Sequence, residues 1–533
     1  MAPMIGGAII ASGAMFFFSK FIALALLIAG FLLAFLYPYG KFSTKKRSID
    51  ASLHLFITYS GTISTMKISR QQLFKKIAEK GMFGEVSNVA EKILYLSRGW
   101  KLRFSESCRR MGARVPSQIL ADFFDRFAVM MDFGQDLEVF LAEEQIAVLN
   151  DYGTEYRKSL EVIRFLQDLF ISLIVALSFI LAIALLAPLV VDISVVLIVQ
   201  GALLAFFVVD GIILFMIIGF VPPDKIFHGL KESNPAQEWI KRWFIIAVII
   251  GAIAIPVLVW QTEWPFMVCI VVGILPLLLP GYLASREEKS VLRRDRLFPV
   301  YARTLGAAVE VRNGGVISAL KSTQIHDFGL LNKMSIDLYS RLRLGSDKYK
   351  SWYRFAVDSG SHLIYHFSRI FSESIYMGGN AHKIGDIISG NVMKLLSLRT
   401  LRLQLAGGMR GAFYGSLIGL GSVMYVTVEI SQQLVVLFSQ PLEGTDAFSF
   451  VNSIVPQATD SADFARIVMF IGILLVAHAG ASAAILKFID GGSLYAALID
   501  FVLMVGVCAA MSLVIPGMTE GLLPDFSGVW QAT

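Results

Sequence analysis

Several residues in the sequence have types and spacings from which chemistry could be built. His362 and His366 stand i, i+4 and would share one face of a helix, as two zinc ligands do. No Glu follows His362 in the metalloprotease position and no further ligand stands at a recognisable spacing, so the pair is read as packing or surface histidines and no metal is assigned. His478 and Ser482, in AHAGASA, match an intramembrane serine protease by residue type, but both sit on one stretch of helix where that chemistry divides them between two. Asp210 and Asp500 lie inside apolar segments without the GxGD flank of an aspartyl peptidase. A charge at mid-bilayer costs about 2.5–3.5 kcal/mol on insertion scales, so each Asp is expected to face other helices or lie near a rim. Interhelical hydrogen bonding is favoured over proton carrying. Cys108, Cys269 and Cys508 show neither metal-ligand nor redox spacing. No phosphate-binding GxxxxGK[ST] motif occurs, so any ATP must be hydrolysed by a partner. These residues predict a chain that is not an enzyme and carries no cofactor.

Two other patterns concern recognition. Arg293, Arg294 and Arg296, with Arg303, crowd the start of a long polar block. They are read either as a docking site for an acidic protein surface, with salt-sensitive association, or as charges that set membrane orientation and touch anionic headgroups. Arg109, Arg110 and Arg114 are a second basic group of the same kind. Acidic residues are mixed through both blocks, which argues against nucleic acid as a partner. Gly407, Gly411, Gly415 and Gly419, spaced i, i+4, would make a flat ridge where another backbone can approach closely. The occupant would be a helix of the same chain, a second copy in a homodimer, or another subunit.

The elements that hold these residues are set by hydropathy. With 56% hydrophobic and 17% charged residues over 533 positions, and a mean hydropathy of +0.66, the apolar excess must sit in lipid. Eight stretches are long enough to span: Met15 to Tyr37, Leu169 to Val191, Ile193 to Phe220, Trp243 to Trp260, Trp264 to Ala284, Gly411 to Val428, Ile467 to Leu486 and Ser493 to Pro516. The first is too long for a signal-peptide core and is read as a retained anchor. Of 47 Lys and Arg, 43 fall in residues 41–167, 285–408 and 221–242. By the positive-inside rule these segments are cytoplasmic, and both termini of the eight-pass chain are outside the cell membrane. The expected organisation is an anchor (1–40), a cytoplasmic helical module (41–167), four transmembrane helices (168–284), a second module (285–408) and a C-terminal transmembrane region (409–533) with an extracellular loop over 431–464.

The two modules superpose at an offset of 245. Phe83 and Gly84 then fall on Phe328 and Gly329, Arg103 on Lys348, Arg109 on Arg354, Ile119 on Ile364 and Gly134 on Gly379, and each block leads into a membrane hairpin. Apolar positions at helical spacing predict short helices: Val86, Val89, Ile93 and Leu96 on one, and Ile119, Phe123, Phe127 and Met130 on another that opens after Pro116 and ends at Gly134. From Thr154 no breaker occurs before Pro188, so the last helix of the first module should run directly into its span as a stiff rod. The fold class is an all-α polytopic membrane protein with about eight transmembrane helices and two repeated helical-bundle modules.

A duplicated helical module, each copy ending in Gly, a Leu- or Ile-rich helix and a membrane hairpin, resembles the type II secretion F domain of type II secretion and type IV pilus machines. The residues that carry this are Ala121 to Leu141, Tyr376 to Ile388, and Arg312 to Leu320, which matches the opening Gly turn. The extra pair at 243–284 and the long loop after Val428 are more similar to archaeal members, including archaellum platform proteins. The resemblance implies a non-enzymatic scaffold that couples a cytoplasmic hexameric secretion ATPase to assembly of prepilin- or archaellin-like subunits. An adhesive pilus or a secretion platform would fit the same resemblance. A repeat-built secondary transporter using Asp210 and Asp500 is the rival from another class, disfavoured because the repeat holds large polar modules and the spans are mostly unbroken.

Overall fold

A computed structural model describes residues 45–79, 83–186, 195–230, 235–262, 264–313, 315–439 and 461–522. The anchor at Met15 to Tyr37, both termini, the end of the second predicted span and most of the predicted extracellular loop lie outside the described residues. The chain is an all-α membrane protein. Among the described residues the only strand-like pairing is an isolated antiparallel bridge between Phe227 and Ser361. Seven described helices are long and apolar enough to cross a membrane.

The helices follow from capping and periodicity. Residues 45–64 form α1. Then come α2 (Arg70–Glu79), α3 (Glu85–Gly99), α4 (Phe104–Gly112), α5 (Gln118–Phe133) and α6 (Leu137–Leu186). In α3 the buried residues are Val86, Ser87, Val89, Ala90, Ile93 and Leu94, a face wider than the apolar spacing predicts, while Leu96 is half-buried. Helix α5 starts later than Pro116 suggests, because the Ser117 side chain accepts from the Leu120 N–H and caps it. Gly134 ends α5 in the left-handed conformation (φ 72°), with Gln135 N–H donating to the Met130 carbonyl. The Asp136 carboxylate then accepts from the Glu138 and Val139 N–H groups and opens α6, which runs unbroken into the apolar segment, as the lack of breakers predicts.

The second half follows the same order. After α7 (Val195–Phe220), α8 (Pro235–Gln261) and α9 (Phe266–Ile274) come α10 (Leu278–Val311), α11 (Val316–Thr323), α12 (Asn332–Arg343), α13 (Lys348–Ser359), α14 (His362–Tyr376) and α15 (Ala381–Ser439). Last are α16 (Ser461–Asp490) and α17 (Ala497–Leu522). The predicted span Trp264 to Ala284 is interrupted by a 3-10 turn at Leu275–Leu277, where Pro276 offers no N–H. Helix α15 continues to Ser439 and α16 begins at Ser461, so both helices extend into the predicted loop 431–464.

The repeat is present with a corrected register. Gly84 and Gly329 share a positive φ (53° and 55°), and the Val86 N–H→Phe83 carbonyl bond recurs as Leu331→Phe328, an offset of 245. From the next helix the offset is 244: Ser361 caps α14 through the Ile364 N–H as Ser117 caps α5, and Gly378 (φ 89°) takes the place of Gly134. Asn380 accepts from the Lys383 N–H where Asp136 opens α6. The predicted pairings of Arg103 with Lys348, Arg109 with Arg354, Ile119 with Ile364 and Gly134 with Gly379 are therefore displaced by one residue; Ile364 corresponds to Leu120, both fully buried. One residue is missing from the second copy between α12 and α13, where no packed face selects against a short linker.

The contacts divide the chain into two units: one gathers residues up to Glu155, Pro299–Ile325 and His366–Lys394, and the other holds the remainder. The second predicted module, 285–408, is thus shared between units. In the first unit an aromatic core joins α1, α2, α5 and α6: Phe56 meets Phe123 edge-on at 5.2 Å, and Phe74 and Phe140 flank Phe127 at 5.4 and 5.7 Å. The starts of α6 and α15 lie parallel and in repeat register, since Glu138 pairs with Lys383 (2.7 Å), Gln145 accepts from Asn391 (3.2 Å) and Asn150 accepts from Lys394 (3.1 Å). Helices α10 and α15 cross at Gly306 and Gly385, where a Cβ on Gly306 would stand 2.5 Å from the Ala381 carbonyl oxygen. In the second unit α16 packs on α7 and α17, and α9 on α8 and α17.

Candidate functional site at the membrane boundary

In the second unit a buried charge network sits where polar blocks meet apolar helices, centred on α15. Arg399 and Arg402, one turn apart, are 4% and 3% exposed. Arg399 donates to both Asp224 oxygens (Nε 2.8 Å, Nη2 2.6 Å), to Asp295 Oδ2 (2.6 Å) and to the Lys225 carbonyl (3.3 Å). Arg402 donates to the last carbonyls of α16, Ile489 (2.6 Å) and Phe488 (2.8 Å), and to Pro222 (3.2 Å), so its charge lies at the negative end of that helix. Lys487 donates to both oxygens of Glu288 (2.8 and 2.9 Å) and to Asp490 (3.0 Å). Gly491 and Gly492 (φ 86° and 85°) turn the chain here, and a Cβ on Gly492 would lie 2.5 Å from the Glu288 carboxyl.

The loop after α7 delivers Asp224. It is held by the bridge at Phe227, with the His362 N–H donating to the Ile226 carbonyl (2.9 Å) and His228 N–H to the Gly360 carbonyl (3.2 Å). Gly360, in the left-handed region at φ 70°, makes the corner between α13 and α14. Ser361 donates to Asp295, which is fully buried. Burial raises the Asp295 carboxyl to about 6, against the pull of Arg399 and Ser361. Burial also works to raise Asp224, but Arg399 outweighs it and holds that carboxyl below its usual value. Burial lowers His362 to about 4, although Asp224 works to raise it. Two carboxylates thus share one guanidinium, and they are perturbed in opposite directions.

The predicted site residues are placed as follows. Arg293 and Arg296 are exposed on α10, whereas Arg294 turns inward and donates to the Ser359 carbonyl (2.8 Å), Glu287 (3.1 Å) and Ser290 (3.1 Å). Arg294 therefore anchors the end of α13, and its guanidinium is turned away from the surface that Arg293 and Arg296 face. Arg303, in the other unit, is exposed and paired with Asp386 (2.8 Å). Arg109 pairs with Asp132 (2.5 Å), Arg110 with Glu106 (2.8 Å), and Arg114 is exposed. Gly407, Gly411, Gly415 and Gly419 are exposed, and a Cβ on any of them meets no atom within 4 Å. The ridge thus faces outward. Asp210 meets His478 Nδ1 through both oxygens at 3.1 Å, buried between α7 and α16, while His478 Nε2 and Ser482 Oγ have no hydrogen-bond partner. Asp500 accepts from Tyr414 (3.2 Å) and faces Arg410 (3.5 Å) in the first turn of α17. His362 and His366 are on α14, and no group of three or more His, Cys, Asp and Glu able to hold a metal forms among the described residues.

Counting charges by sign hides the network, because Arg399, Asp224, Asp295 and Glu288 all belong to polar segments. One signal was available: Lys487 ends an otherwise charge-free apolar run, and Asp490 with Gly491 and Gly492 follows within five residues.

The chain is similar over most of its length to known proteins. It is 33% identical over 486 residues to the flagella accessory protein J of Methanocaldococcus jannaschii, which covers 89% of this chain and 86% of that protein. It is 30% identical over 512 residues to the flagella accessory protein J of Methanococcus voltae, covering 94% and 90%. No family model and no solved structure matches the chain.

Proposed function

The chain belongs to the flagella accessory protein J family, and from that membership we propose that it is the membrane platform of an archaeal type IV-pilus-like machine, the archaellum first among them. In this reading a cytoplasmic hexameric secretion ATPase acts on the polar modules, and the chain passes that motion to prepilin- or archaellin-like subunits without hydrolysing nucleotide itself. An adhesive pilus would use the same build; the flagellar name of the relatives favours the archaellum.

The observation that carries the reading is the duplicated module whose last helix, α6 in one copy and α15 in the other, is continuous with a membrane-crossing segment. Such a helix transmits force where a loop would not. A motor contact must also release, so it should rest on charge more than on apolar area. Arg293 and Arg296 are the exposed charges that meet this need once Arg294 is set aside.

The test is co-purification of the full-length protein with its cognate ATPase. Arg293→Glu with Arg296→Glu should leave the protein in membranes, weaken ATPase binding and stop filament growth. Wild-type binding should fall as salt approaches roughly 1 M, where screening acts over about 3 Å. A double variant that binds as wild type at low salt would assign these arginines to orientation and overturn the docking site.

A further inference from the structure

The repeat gives the first unit a symmetry. Its two copies meet along α6 and α15, where equivalent residues touch each other: Asn150 faces Lys394 at an offset of 244, and Glu138 faces Lys383 at 245. Parallel helices in contact through equivalent residues are related by half a turn about an axis that runs along them, since a translation would bring different faces together. The first unit is therefore a two-fold assembly within one chain. Away from the membrane-crossing ends of α6 and α15, four chain corners gather about this axis. Arg70 donates to the Gln135 carbonyl (3.2 Å), joining the corner after α1 to the one after α5, and Asn380 donates to Glu310 (3.2 Å), joining the corner after α10 to the one after α14. A Cβ on Gly379 would stand 3.1 Å from Thr65 Oγ1, so the two halves are continuous. The Lys67 N–H→Ser64 carbonyl bond (3.0 Å) recurs as Arg312→Val309 (3.2 Å), and Gly134→Met131 (3.4 Å) recurs as Gly378→Ile375 (2.9 Å). Lys67 thus corresponds to Arg312, Met66 to Val311 and Phe133 to Met377.

Both halves present the same chemistry outward. Lys67 and Arg312 are exposed, and neither meets a carboxylate among the described residues. Phe133 is 85% exposed in one half and Val311 83% in the other, while their counterparts Met377 and Met66 are half-buried. The acidic groups at the corners are engaged: Asp136 caps α6, Glu310 accepts from Asn380 and the Ala381 N–H, and Glu138 is paired with Lys383. The unpaired charge here is therefore positive. A single exposed apolar residue needs no explanation, but a free cation beside an exposed apolar side chain, repeated about an axis, is a surface built for one partner with two equal contacts. Lipid is too far away to be that partner, because α6 runs about 48 Å from Leu137 to its span at Leu169. A second copy in the same membrane points the same way and offers its sides to the first, not this end.

We propose that this end of the first unit is the seat of a soluble protein ring of even rotational symmetry, centred on the chain's own two-fold axis, which sets carboxylates against Lys67 and Arg312 and apolar side chains against Phe133 and Val311. A ring with an even number of subunits meets both halves in the same way, so one chain engages it without a second copy. The seat rests on the proposed platform function, in which the partner is a hexameric ATPase, and gives that partner a contact in a different unit from Arg293 and Arg296.

The test is binding of the cognate ATPase by the full-length protein in detergent, with light scattering for the ratio of chains in the complex. Lys67→Glu and Arg312→Glu should each weaken binding about tenfold and to the same extent, and together about a hundredfold, as independent contacts do. Phe133→Ser and Val311→Ser should weaken it without changing its dependence on salt. All four side chains are exposed, so these variants keep the fold. Arg157→Glu, exposed on α6 about 30 Å nearer the membrane than Leu137, should bind as wild type. The complex should hold one chain per ring. A loss confined to one half, an equal loss in Arg157→Glu, or two chains per ring would overturn the axial seat. Full binding by all four variants while Arg293→Glu with Arg296→Glu loses it would overturn the seat and leave the platform function standing. An ATPase that binds no form of the protein would overturn both.

Discussion

Arg399→Met is the sharpest perturbation of the charge network. The side chain makes three hydrogen bonds to carboxylates, two to Asp224 and one to Asp295, and Asp295 has no exposure to water. Removing the cation leaves two carboxylates facing each other in a buried site, and breaking such a pair costs about 3–5 kcal/mol. With an unfolding entropy near 2.1 cal/mol/K per residue, 4 kcal/mol corresponds to a fall of about 4 °C in the thermal midpoint of this chain. The loss should depend on pH, and its sign follows from the titrations. Asp295 is raised in the folded protein, so its contribution is full at low pH and is lost as pH rises through about 6. Asp224 is lowered by Arg399, so its contribution appears above the usual carboxylate range and is lost on acidification. Without Arg399 both carboxyls move upward, and the gap between variant and wild type should widen from pH 5 toward pH 8. The assay is the midpoint of the detergent-solubilised protein followed by monodispersity after heating, with exposed Arg296→Met as reference. The triple change Arg399→Met, Asp224→Asn, Asp295→Asn should recover most of the loss, because buried ion pairs replaced as a set are nearly neutral. A single variant no worse than Arg296→Met, or a gap that closes as pH rises, would refute the buried network.

Other outcomes follow from the same geometry. Gly306→Ala should destabilise the chain, since its Cβ meets backbone at 2.5 Å, whereas Gly415→Ala, with nothing within 4 Å, should leave the midpoint unchanged or raise it by helix propensity; thermal melts compare them. His478→Phe should lower the midpoint by leaving Asp210 buried and unpaired, and adding Asp210→Leu should restore it, measured in the same melts. A cysteine placed at Ile325, 87% exposed, should resist an impermeant thiol reagent added outside intact cells, while one at Ser449, in the predicted extracellular loop, should react; the native cysteines described, all buried, give little background. Labelling in the opposite sense would invert the assigned orientation.

Much of the fold is legible because it rests on local rules. The absence of a breaker from Thr154 onward gives the continuity of α6, and Gly84 and Gly134 mark two positive-φ corners of the first module, whereas Lys67 and Lys101 (φ 54° and 53°) make two more that no residue type announces. The repeat register was not fully legible, because matching residue types at a fixed offset cannot see a missing linker residue; the caps at Ser117 and Ser361 reveal it only as hydrogen bonds. Glycine spacing does not locate the close crossings within this chain. The regular series from Gly407 to Gly419 lies open, while Gly306 and Gly385, which no spacing singles out, bring two helices into backbone contact. Arg294 shows why charge density does not locate a docking surface: neighbouring residues on a helix point about 100° apart, and one of these arginines faces the interior.

The network also answers a question that apolar packing leaves open, namely what fixes α15 along its own axis. A helix of 59 residues with a periodic apolar face has near-equivalent positions one turn apart, because a shift of about 5.4 Å brings similar side chains back to the same neighbours. Arg399 and Arg402 have no such equivalents. Sliding α15 by a turn would part Arg399 from Asp224 and Asp295, and Arg402 from the end of α16, leaving buried charges on both sides. Leu398, Arg399, Arg402 and Ala406 lie on the buried face, so a rotation of the helix is penalised in the same way. Charge pairs add little net stability over apolar substitutes, yet they discriminate strongly between registers. For a platform whose proposed task is to pass displacement along this helix, a single defined register at the membrane boundary is the property that matters, since a helix free to slip would absorb the motion it has to transmit.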